Sequence, residues 1–365
     1  MIPKNTKSIT SEWLNSVLHK NGKLKGVNIK SISLEPCGRG EGLVGDIARI
    51  MVKYDGNASR LPNSMIAKWH PFKQFFYNWG VQIGFLENEL RFYVEIAPIS
   101  PIRVPKLIYS DFDLNSKRFA LILEDCSKYT DIDIIKGMNY EQTKIAVTSL
   151  ANFHSRWWNA NDLYSFKWIP EYSKSLYYNI YKQFQPLWEF VKQKEEFKSD
   201  LPEYGLEIGE KYYKKMIQLA FENLPSHFTI VHGDFWVPNF FIDLNNTKNP
   251  LIVFDWTHMN IGFGTFDLAL LLGTSISVDV RRKYEKQLVK HYMEMLIGNG
   301  IELSDLTFED FWYNYLKDLL LNIRDPPFHY LGDKVSQKRK DIRKVITTRV
   351  FTAILDNDVQ NIFPT

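Results

Sequence analysis

Two carboxylates and one amide in the second half of the chain carry the clearest chemical signal. Asp234 and Asn239 lie five positions apart in the segment His232-Gly-Asp-Phe-Trp-Val-Pro-Asn, and Asp255 follows the apolar run Leu251-Ile-Val-Phe. Phosphoryl transfer needs a carboxylate near the acceptor hydroxyl and hard oxygen ligands for Mg²⁺. The spacing therefore predicts that Asp234 acts on a hydroxyl, while Asn239 and Asp255 bind the metal. The alternative is a pair of turns that cap strands, since Asp and Asn are common turn residues.

A glycine cluster near the start of the chain suits phosphate binding. The segment Gly38-Arg-Gly-Glu-Gly-Leu-Val-Gly lies between two predicted strands. Backbone N–H groups at Gly38, Gly40 and Gly42 could fold over phosphates, because glycine allows close backbone approach and positive φ. No Gly-Lys-Ser/Thr follows and the next element is a strand, so neither the Walker motif nor the dinucleotide-binding motif is matched. The hairpin context predicts a flap over ATP.

Lys68 and Glu89 complete an ordered set of chemical groups. Lys68 lies in the alternating segment Met65-Ile-Ala-Lys, and Glu89 lies in the helical pattern that follows. An ion pair between them would hold the lysine against nucleotide phosphates. A single Lys or Glu is more often a solvated surface residue, but the ordered series of glycine loop, Lys, Glu, Asp, Asn and Asp is much harder to obtain by chance.

Apolar periodicity predicts the elements that must position these groups. Alternation indicates strands and a 3.6-residue period indicates helices. The predicted strands are 27–34, 47–54, 64–69, 107–110 and 119–123, the early helices are 10–18 and 84–95, and a turn covers 111–116. Long aromatic-rich helical segments begin at Tyr140. We place the boundary between a nucleotide-binding lobe, residues 1–124, and a larger catalytic and substrate-binding lobe, residues 125–365.

Composition limits the remaining classes of function. The 365 residues include 45 Lys and Arg against 42 Asp and Glu, and a formal charge of +3 is too small for the positive surface that nucleic-acid binding requires. Cys37 and Cys126 are too few for a disulfide framework or a Cys-rich metal site, which favours a reducing compartment. No segment approaches the ~20 apolar residues of a membrane span, and the first residues lack a signal-peptide pattern. We predict a cytoplasmic protein that binds neither nucleic acid nor membranes.

Taken together, these residues resemble the aminoglycoside-phosphotransferase and choline-kinase-like group, most closely its ecdysteroid-kinase-like branch. The resemblance covers nearly the whole chain. It rests on the Gly-Glu-Gly turn, Glu-x-x-Phe-Tyr at 89–93, Leu-Glu-Asp at 123–125, Leu-Ala-x-Phe-His at 150–154, His232-Gly-Asp…Asn239, and Asp255-Trp…Asp267-Leu-Ala. The resemblance implies an α+β, two-lobed fold of the protein-kinase type. Its small lobe would hold a five-stranded antiparallel sheet and a helix, and its large lobe would be mainly helical.

The resemblance implies a role for each residue of the ordered set. Asp234 would be the catalytic carboxylate, and Asn239 and Asp255 would bind Mg²⁺. Lys68 would be a catalytic lysine that contacts the phosphates, with Glu89 as its partner.

The resemblance also implies an adenine site and a support for the catalytic loop. Backbone atoms of the hinge at residues 123–126, including Glu124 and Cys126, would hydrogen-bond adenine. Asp267 would brace the catalytic loop from the helix below, and His232 would pack within that loop rather than accept the proton.

Departures from protein kinases favour a small-molecule acceptor. Asp255 is followed by Trp256-Thr rather than Phe-Gly, and the segment from Asp255 to Asp267 is too short for a long activation loop that docks a peptide. Aromatic residues crowd the region after residue 156, where core packing is the first interpretation and an aromatic-lined acceptor cleft the second. They are Trp157, Trp158, Trp168, Tyr172, Tyr177, Tyr178, Tyr181, Phe184 and Trp188.

We therefore predict a kinase that uses ATP and Mg²⁺ to phosphorylate a hydroxyl of a small-molecule alcohol. Three alternatives stay open: a nucleotide-binding pseudokinase, a protein kinase, and a metallohydrolase that uses His232, Asp234, Asp255 and His258. The metallohydrolase would leave the glycine flap and Lys68 unexplained.

Overall fold

The structure is a computed structural model that describes residues 2–3, 6–24, 26–37, 46–69, 87–113, 115, 118–172, 174–222, 224–332 and 335–363. The predicted phosphate flap with Gly38, Gly40 and Gly42 lies outside the described residues. Contacts divide the chain into two compact units, one of Met1–Thr130 with Ile252–Thr257 and one of Asp131–Leu251 with His258–Thr365. The predicted division into nucleotide-binding and catalytic lobes after residue 124 stays a prediction.

The first unit opens with the predicted helix, α1 (Ser11–Lys20). The Thr10 hydroxyl caps it by accepting a hydrogen bond of 3.1 Å from the Trp13 N–H, because the first N–H groups of a helix have no partner within the helix. Leu14, Val17 and Leu18 are buried in the apolar cluster of the first unit. The helix thus packs its apolar face onto the sheet.

Five antiparallel strands form that sheet in the order β1-β2-β3-β5-β4, which confirms the predicted five-stranded antiparallel sheet. In β3, Met65, Ala67 and Trp69 are buried in the apolar cluster, so Lys68 projects from the opposite face because strand side chains alternate. The strands are β1 (Ile29–Pro36), β2 (Asp46–Tyr54), β3 (Ser64–Trp69), β4 (Leu107–Asp113) and β5 (Arg118–Glu124).

Two local predictions in this unit differ from the structure. Strand β4 continues to Asp113, which pairs with Arg118 of β5, so pairing across the sheet overrides the turn predicted from residue 111. The continuous helix predicted over 84–95 is instead a short α2 (Asn88–Arg91), a π-helical segment (Phe92–Ile96) and a 3-10 turn (Ala97–Ile99). Residues 84–86 lie outside the described residues. Pro98 in the last turn lacks an N–H donor, which helps to end the helix there.

The second unit is mainly helical, as predicted. Its short strands β7 and β10 pair antiparallel, and the boundary between the units passes within β6 and β9. The short strands are β6 (Thr130–Asp131), β7 (Thr229–Val231), β8 (Phe240–Ile242), β9 (Leu251–Val253) and β10 (Asn260–Gly262). The helices are α3 (Tyr140–Trp157), α4 (Lys174–Val191), α5 (Glu195–Asp200), α6 (Gly205–Tyr212), α7 (Met216–Phe221), α8 (Gly264–Thr274), α9 (Val278–Gly298), α10 (Phe308–Leu321), α11 (Asp325–Phe328), α12 (Gln337–Asp356) and α13 (Val359–Ile362).

The core of the second unit surrounds α8, every residue of which is buried. Of the aromatic residues weighed as an acceptor cleft, Trp157, Tyr181, Phe184 and Trp188 are fully buried and belong to the core. The side chains of Tyr177 and Tyr178 lie outside the described residues. Within the described ranges, no helix has both the length and the apolar composition needed to cross a membrane.

Candidate active site

Lys68 lies between two carboxylates in the first unit. Its Nζ forms an ion pair with Glu89 Oε2 and donates a hydrogen bond of 2.9 Å to Asp255 Oδ1. The Lys68 and Glu89 side chains are almost entirely buried, whereas the Asp255 side chain is 40% exposed. The ion pair that the sequence predicted is therefore present, and Asp255, a residue 187 positions later, joins it.

The two carboxylates beside Lys68 determine its protonation state. Burial by itself would lower the pKa of Lys68, but the nearby Asp255 and Glu89 carboxylates outweigh burial and raise this pKa above its usual value. Burial raises the pKa of Glu89. Lys68 consequently stays an ammonium at neutral pH, which is the form that can contact a phosphate.

Sequence analysis missed two polar residues of this cluster. Thr257 Oγ1 lies 2.8 Å from Asp255 Oδ1 and 3.4 Å from Glu89 Oε2, and the buried Asn88 Nδ2 donates to the Thr257 carbonyl at 3.1 Å. Their one signal in the sequence is position, since Asn88 precedes Glu89 and Thr257 lies two residues after Asp255. These contacts orient the Asp255 carboxylate relative to the Lys68–Glu89 pair.

Asp255 has an unusual backbone held by its neighbours. Its φ of 64° lies in the left-handed region, which few residues other than glycine adopt and which is often found at functional sites. The next residue, Trp256, is fully buried and stacks on Phe92, with ring centroids 3.8 Å apart and planes 8° from parallel. The stack anchors the segment on the π-helical turn that follows Glu89.

Asp234 and Asn239 meet in the second unit. The Asn239 Nδ2 donates hydrogen bonds of 2.9 Å to the Asp234 Oδ2 and to the Asp234 carbonyl oxygen. The Asn239 side chain is buried, and Asp234 is half-buried. Because the amide nitrogen faces Asp234, Asn239 Oδ1 is the atom suited to a cation, and oxygen is the ligand that Mg²⁺ prefers.

The loop that carries Asp234 is held from α8. Asp267 is fully buried and accepts hydrogen bonds from the N–H groups of His232, at 2.6 Å, and Gly233, at 2.9 Å. Gly233 has a φ of 80°, and a Cβ added there would lie 2.2 Å from the His258 carbonyl oxygen. His232 Nδ1 accepts from the Asp234 N–H at 3.2 Å, so this ring nitrogen is occupied by the loop itself.

The predicted adenine-binding residues end strand β5 and begin the turn after it. Glu124 Oε1 lies 3.3 Å from Lys128 Nζ, and Asp125 Oδ2 accepts a hydrogen bond of 2.8 Å from Arg49 Nε. The thiol of Cys126 is buried, and burial raises its pKa to about 12, so it is unreactive at neutral pH. The role of their backbone in adenine binding stays a prediction.

The residues present fit a magnesium ion by their chemistry. Asn239 in the second unit offers an amide oxygen and Asp255 in the first unit a carboxylate oxygen. Each is an atom type that Mg²⁺ takes from proteins, commonly with only one or two carboxylates and the rest of its shell from phosphate oxygens and water. In the described part of the chain, no group of three or more His, Cys, Asp or Glu side chains could hold a metal ion.

Solved structures of small-molecule kinases share this fold. A choline kinase from Cryptosporidium parvum has a TM-score of 0.60 at 12% identity, with 96% of each chain covered. An ethanolamine kinase from Plasmodium vivax has a TM-score of 0.55 at 13% identity, covering 96% of this chain and 91% of that one. The GDP complex of a wild-type aminoglycoside 2′-phosphotransferase has a TM-score of 0.52 at 14% identity, covering 97% of this chain and 99% of that one. These likenesses confirm the predicted protein-kinase-like fold.

Sequence comparison identifies the family. An uncharacterized kinase-like protein of Caenorhabditis elegans is 26% identical over 219 residues, which is 56% of this chain and 55% of that protein. The chain thus matches about half the length of this curated relative. The Ecdysteroid kinase-like family matches residues 39–304, which is most of the chain. The chain belongs to the Ecdysteroid kinase-like family, as its motifs predicted.

Proposed function

We propose that this protein is a kinase that uses ATP and Mg²⁺ to phosphorylate a hydroxyl of a small-molecule metabolite. Membership of the family and the kinase-like fold support a small-molecule kinase. The single observation that carries the proposal is the Lys68 ammonium held by Glu89 and Asp255, since a buried lysine with two carboxylates suits a phosphate and its metal ion. We also propose a cytoplasmic location, which rests on composition alone.

Each residue has a proposed task in the transfer. Asp234 orients the acceptor hydroxyl and takes its proton as the new O–P bond forms and the bond from the γ-phosphorus to the bridging oxygen of ADP breaks. Lys68 binds phosphate oxygens, and Asn239 and Asp255 provide oxygens for Mg²⁺. When bound, Mg²⁺ would neutralise the negative charge of the phosphates. Asn239 also keeps the Asp234 carboxylate in place through its amide nitrogen.

The proposed nucleotide contacts come from the first part of the chain. Backbone atoms of Glu124 and Cys126 would hydrogen-bond adenine. The N–H groups of Gly38, Gly40 and Gly42, which lie outside the described residues, would cover the phosphates.

Product analysis with ATP, Mg²⁺ and a panel of alcohols tests the proposal. The panel should include sterols, amino alcohols, sugars and hydroxylated guanidines, with phosphorylated products detected by ³¹P NMR or mass spectrometry. We expect the wild type to phosphorylate at least one alcohol. Asp234→Asn should lower turnover by about 10²–10⁴-fold, the usual contribution of a general base, while Mg·ATP binding persists in calorimetry. Asp279→Asn, at an exposed position in α9, is the matched control and should retain activity.

Other outcomes favour the alternatives. Near-normal turnover by Asp234→Asn would show that the base is assigned wrongly. Mg·ATP binding without any product would favour a pseudokinase, and stoichiometric zinc or iron in the purified protein would favour a metallohydrolase. Phosphorylation on a peptide array, with no small-molecule product, would favour a protein kinase.

A further inference from the structure

A buried hydrogen-bond chain leads from α9 to the loop that carries Asp234. Tyr292 Oη lies 2.6 Å from His154 Nδ1, and His154 Nε2 lies 3.2 Å from Asp267 Oδ2. Asp267 then accepts the N–H groups of His232 and Gly233, the two residues before Asp234. Tyr292, His154 and Asp267 are each fully buried, so no solvent competes for these contacts.

The partners determine where the proton of His154 lies. Asp267 already accepts two backbone N–H groups, so a proton on Nε2 suits the contact between it and His154. The Tyr292 hydroxyl, in contrast, keeps its proton and can donate it. Burial and then the charge of Asp267 raise the pKa of this hydroxyl well above its usual value. The contacts at the two ring nitrogens therefore favour the tautomer in which Nε2 carries the proton and Nδ1 accepts from Tyr292.

The glycine at position 264 leaves the space that the Tyr292 hydroxyl occupies. A Cβ added to Gly264, the first residue of α8, would lie 2.4 Å from Tyr292 Oη and 3.1 Å from His154 Nδ1. Any larger residue at this position would displace the hydroxyl from the imidazole. The glycine thus opens α8 at the point where the tyrosine reaches His154, which makes the contact a specific feature of the fold.

We propose that Tyr292 is a positioning residue that fixes the His154 ring with Nε2 directed at Asp267, so that Asp267 holds the two N–H groups before Asp234. Without the Tyr292 hydroxyl, Nδ1 would be a buried acceptor with no donor, which removes the contact that fixes the orientation and tautomer of the ring. A turned ring or a proton moved to Nδ1 would deprive Asp267 of its hydrogen bond from Nε2 and loosen the carboxylate that holds the loop. The importance for catalysis rests on the proposed function, since small displacements of a catalytic carboxylate cost large factors in rate.

Nitrogen-15 NMR of histidine-labelled protein at pH 7 tests the inference, with His154 assigned from the signal lost in His154→Gln. We expect wild-type His154 to carry one proton, on Nε2. In Tyr292→Phe we expect His154 nitrogen signals that no longer show the proton on Nε2 alone, at least tenfold faster amide hydrogen exchange at Gly233, and a lower kcat with the KM for ATP little changed. Tyr284→Phe changes a tyrosine on the same helix whose ring packs against Tyr140, and it should match the wild type in all three measurements.

The outcomes separate this inference from the proposed function. A wild-type His154 protonated on Nδ1, or a Tyr292→Phe protein with unchanged His154 signals and Gly233 exchange, would overturn it. If Tyr292→Phe does not fold, the wild-type spectrum alone shows which nitrogen of His154 carries the proton, and so decides the inference. Both NMR measurements are independent of turnover, so absence of kinase activity would refute the function and leave the hydrogen-bond chain to be judged by its own signals.

Discussion

Lys68 shows how one buried charge depends on its partners. Its ammonium is shared between Glu89 and Asp255, and the Glu89 side chain is only 5% exposed. Breaking a buried pair by removing one partner leaves a charge without compensation, which is usually costly. The lysine proposed to bind phosphate is therefore also a structural residue of the first unit.

Lys68→Met should lower the free energy of unfolding by about 3 kcal/mol, because Glu89 then remains buried without its counter-charge. The double variant Lys68→Met with Glu89→Gln should recover part of that loss, since it removes the stranded charge. Urea unfolding measures both. The exposed Lys53→Met in β2 is the control. A loss below about 1 kcal/mol in the single variant would mean that the pair contributes little.

Thr257→Val should reduce kcat about tenfold, because the variant loses the hydrogen bond that orients the Asp255 carboxylate. A hydrogen bond to a charged group contributes about 1.5–3 kcal/mol, and about 1.4 kcal/mol corresponds to a factor of ten in rate. Thr257→Ser keeps the hydroxyl and should stay near the wild type in steady-state kinetics. Equal kcat values for the Val and Ser variants would show that the hydroxyl does not position Asp255.

At the level of elements, the loop between β7 and β8 depends on a glycine that another backbone segment approaches. Gly233 has a φ of 80°, and the His258 carbonyl occupies the space where a Cβ would go. Asp267 of α8 receives the Gly233 N–H at 2.9 Å. The loop between β7 and β8 therefore packs closely against the His258 backbone and α8 at Gly233, the residue before Asp234.

Gly233→Ala should be far more damaging than Gly300→Ala. Both glycines have positive φ, but nothing lies within 4 Å of the Cβ position at Gly300. The Gly300 variant should lose only the conformational term of about 1 kcal/mol. The Gly233 variant must also move backbone atoms, so we expect a loss of about 3 kcal/mol and little remaining turnover. Similar unfolding midpoints for the two variants would argue against the close approach.

The contact between α8 and α10 predicts a dependence of stability on pH. Asp318 of α10 accepts a hydrogen bond of 2.6 Å from Thr265 of α8, and burial raises its pKa to about 6. The unfolded carboxyl has a pKa of about 3.9. Between about pH 4 and 6 the folded protein therefore binds more protons than the unfolded chain, and stability falls as the pH rises.

Asp318→Asn removes this titration while retaining an acceptor for Thr265. Relative to the wild type, the variant should gain up to about 3 kcal/mol of unfolding free energy between pH 4 and pH 7. Urea unfolding at the two pH values measures the change. A difference between variant and wild type that is the same at both pH values would contradict the shifted pKa.

For the whole molecule, the proposed nucleotide should act as a stabilising ligand. A ligand that binds only the folded state stabilises it by about 2.7 kcal/mol at 100 times its Kd. In a chain of 365 residues this corresponds to a rise in Tm of about 3–4 °C. Mg·ATP should produce this rise in scanning calorimetry, and ATP with EDTA should produce less. Asp255→Asn should remove the magnesium-dependent part, whereas Asp279→Asn should preserve it. An unchanged Tm in the presence of millimolar Mg·ATP would refute the proposed nucleotide site.

Local patterns in the sequence already determine much of this protein. The cap at Thr10, the alternation that turns Lys68 away from the core and the strands of the first sheet can all be derived from neighbouring residues. These features depend on side chains within a few positions, where periodicity and capping act. The Lys68–Glu89 pair and the family follow from the order of motifs along the chain, because that order is particular to this fold, whereas the contact between Asp234 and Asn239 is seen only in the structure.

Only the tertiary structure decides which residues far apart in the sequence contact one another. Thr257 meets Glu89 across 168 positions and Tyr292 meets His154 across 138, and a hydroxyl carries no sequence signal for so distant an acceptor. The extension of β4 and the π-helical turn after Arg91 likewise depend on hydrogen bonds that packing selects over local preference. The burial of Trp157 and Trp188 was ambiguous in sequence, because an aromatic helix face fits a core and a cleft equally well until its neighbours are in place.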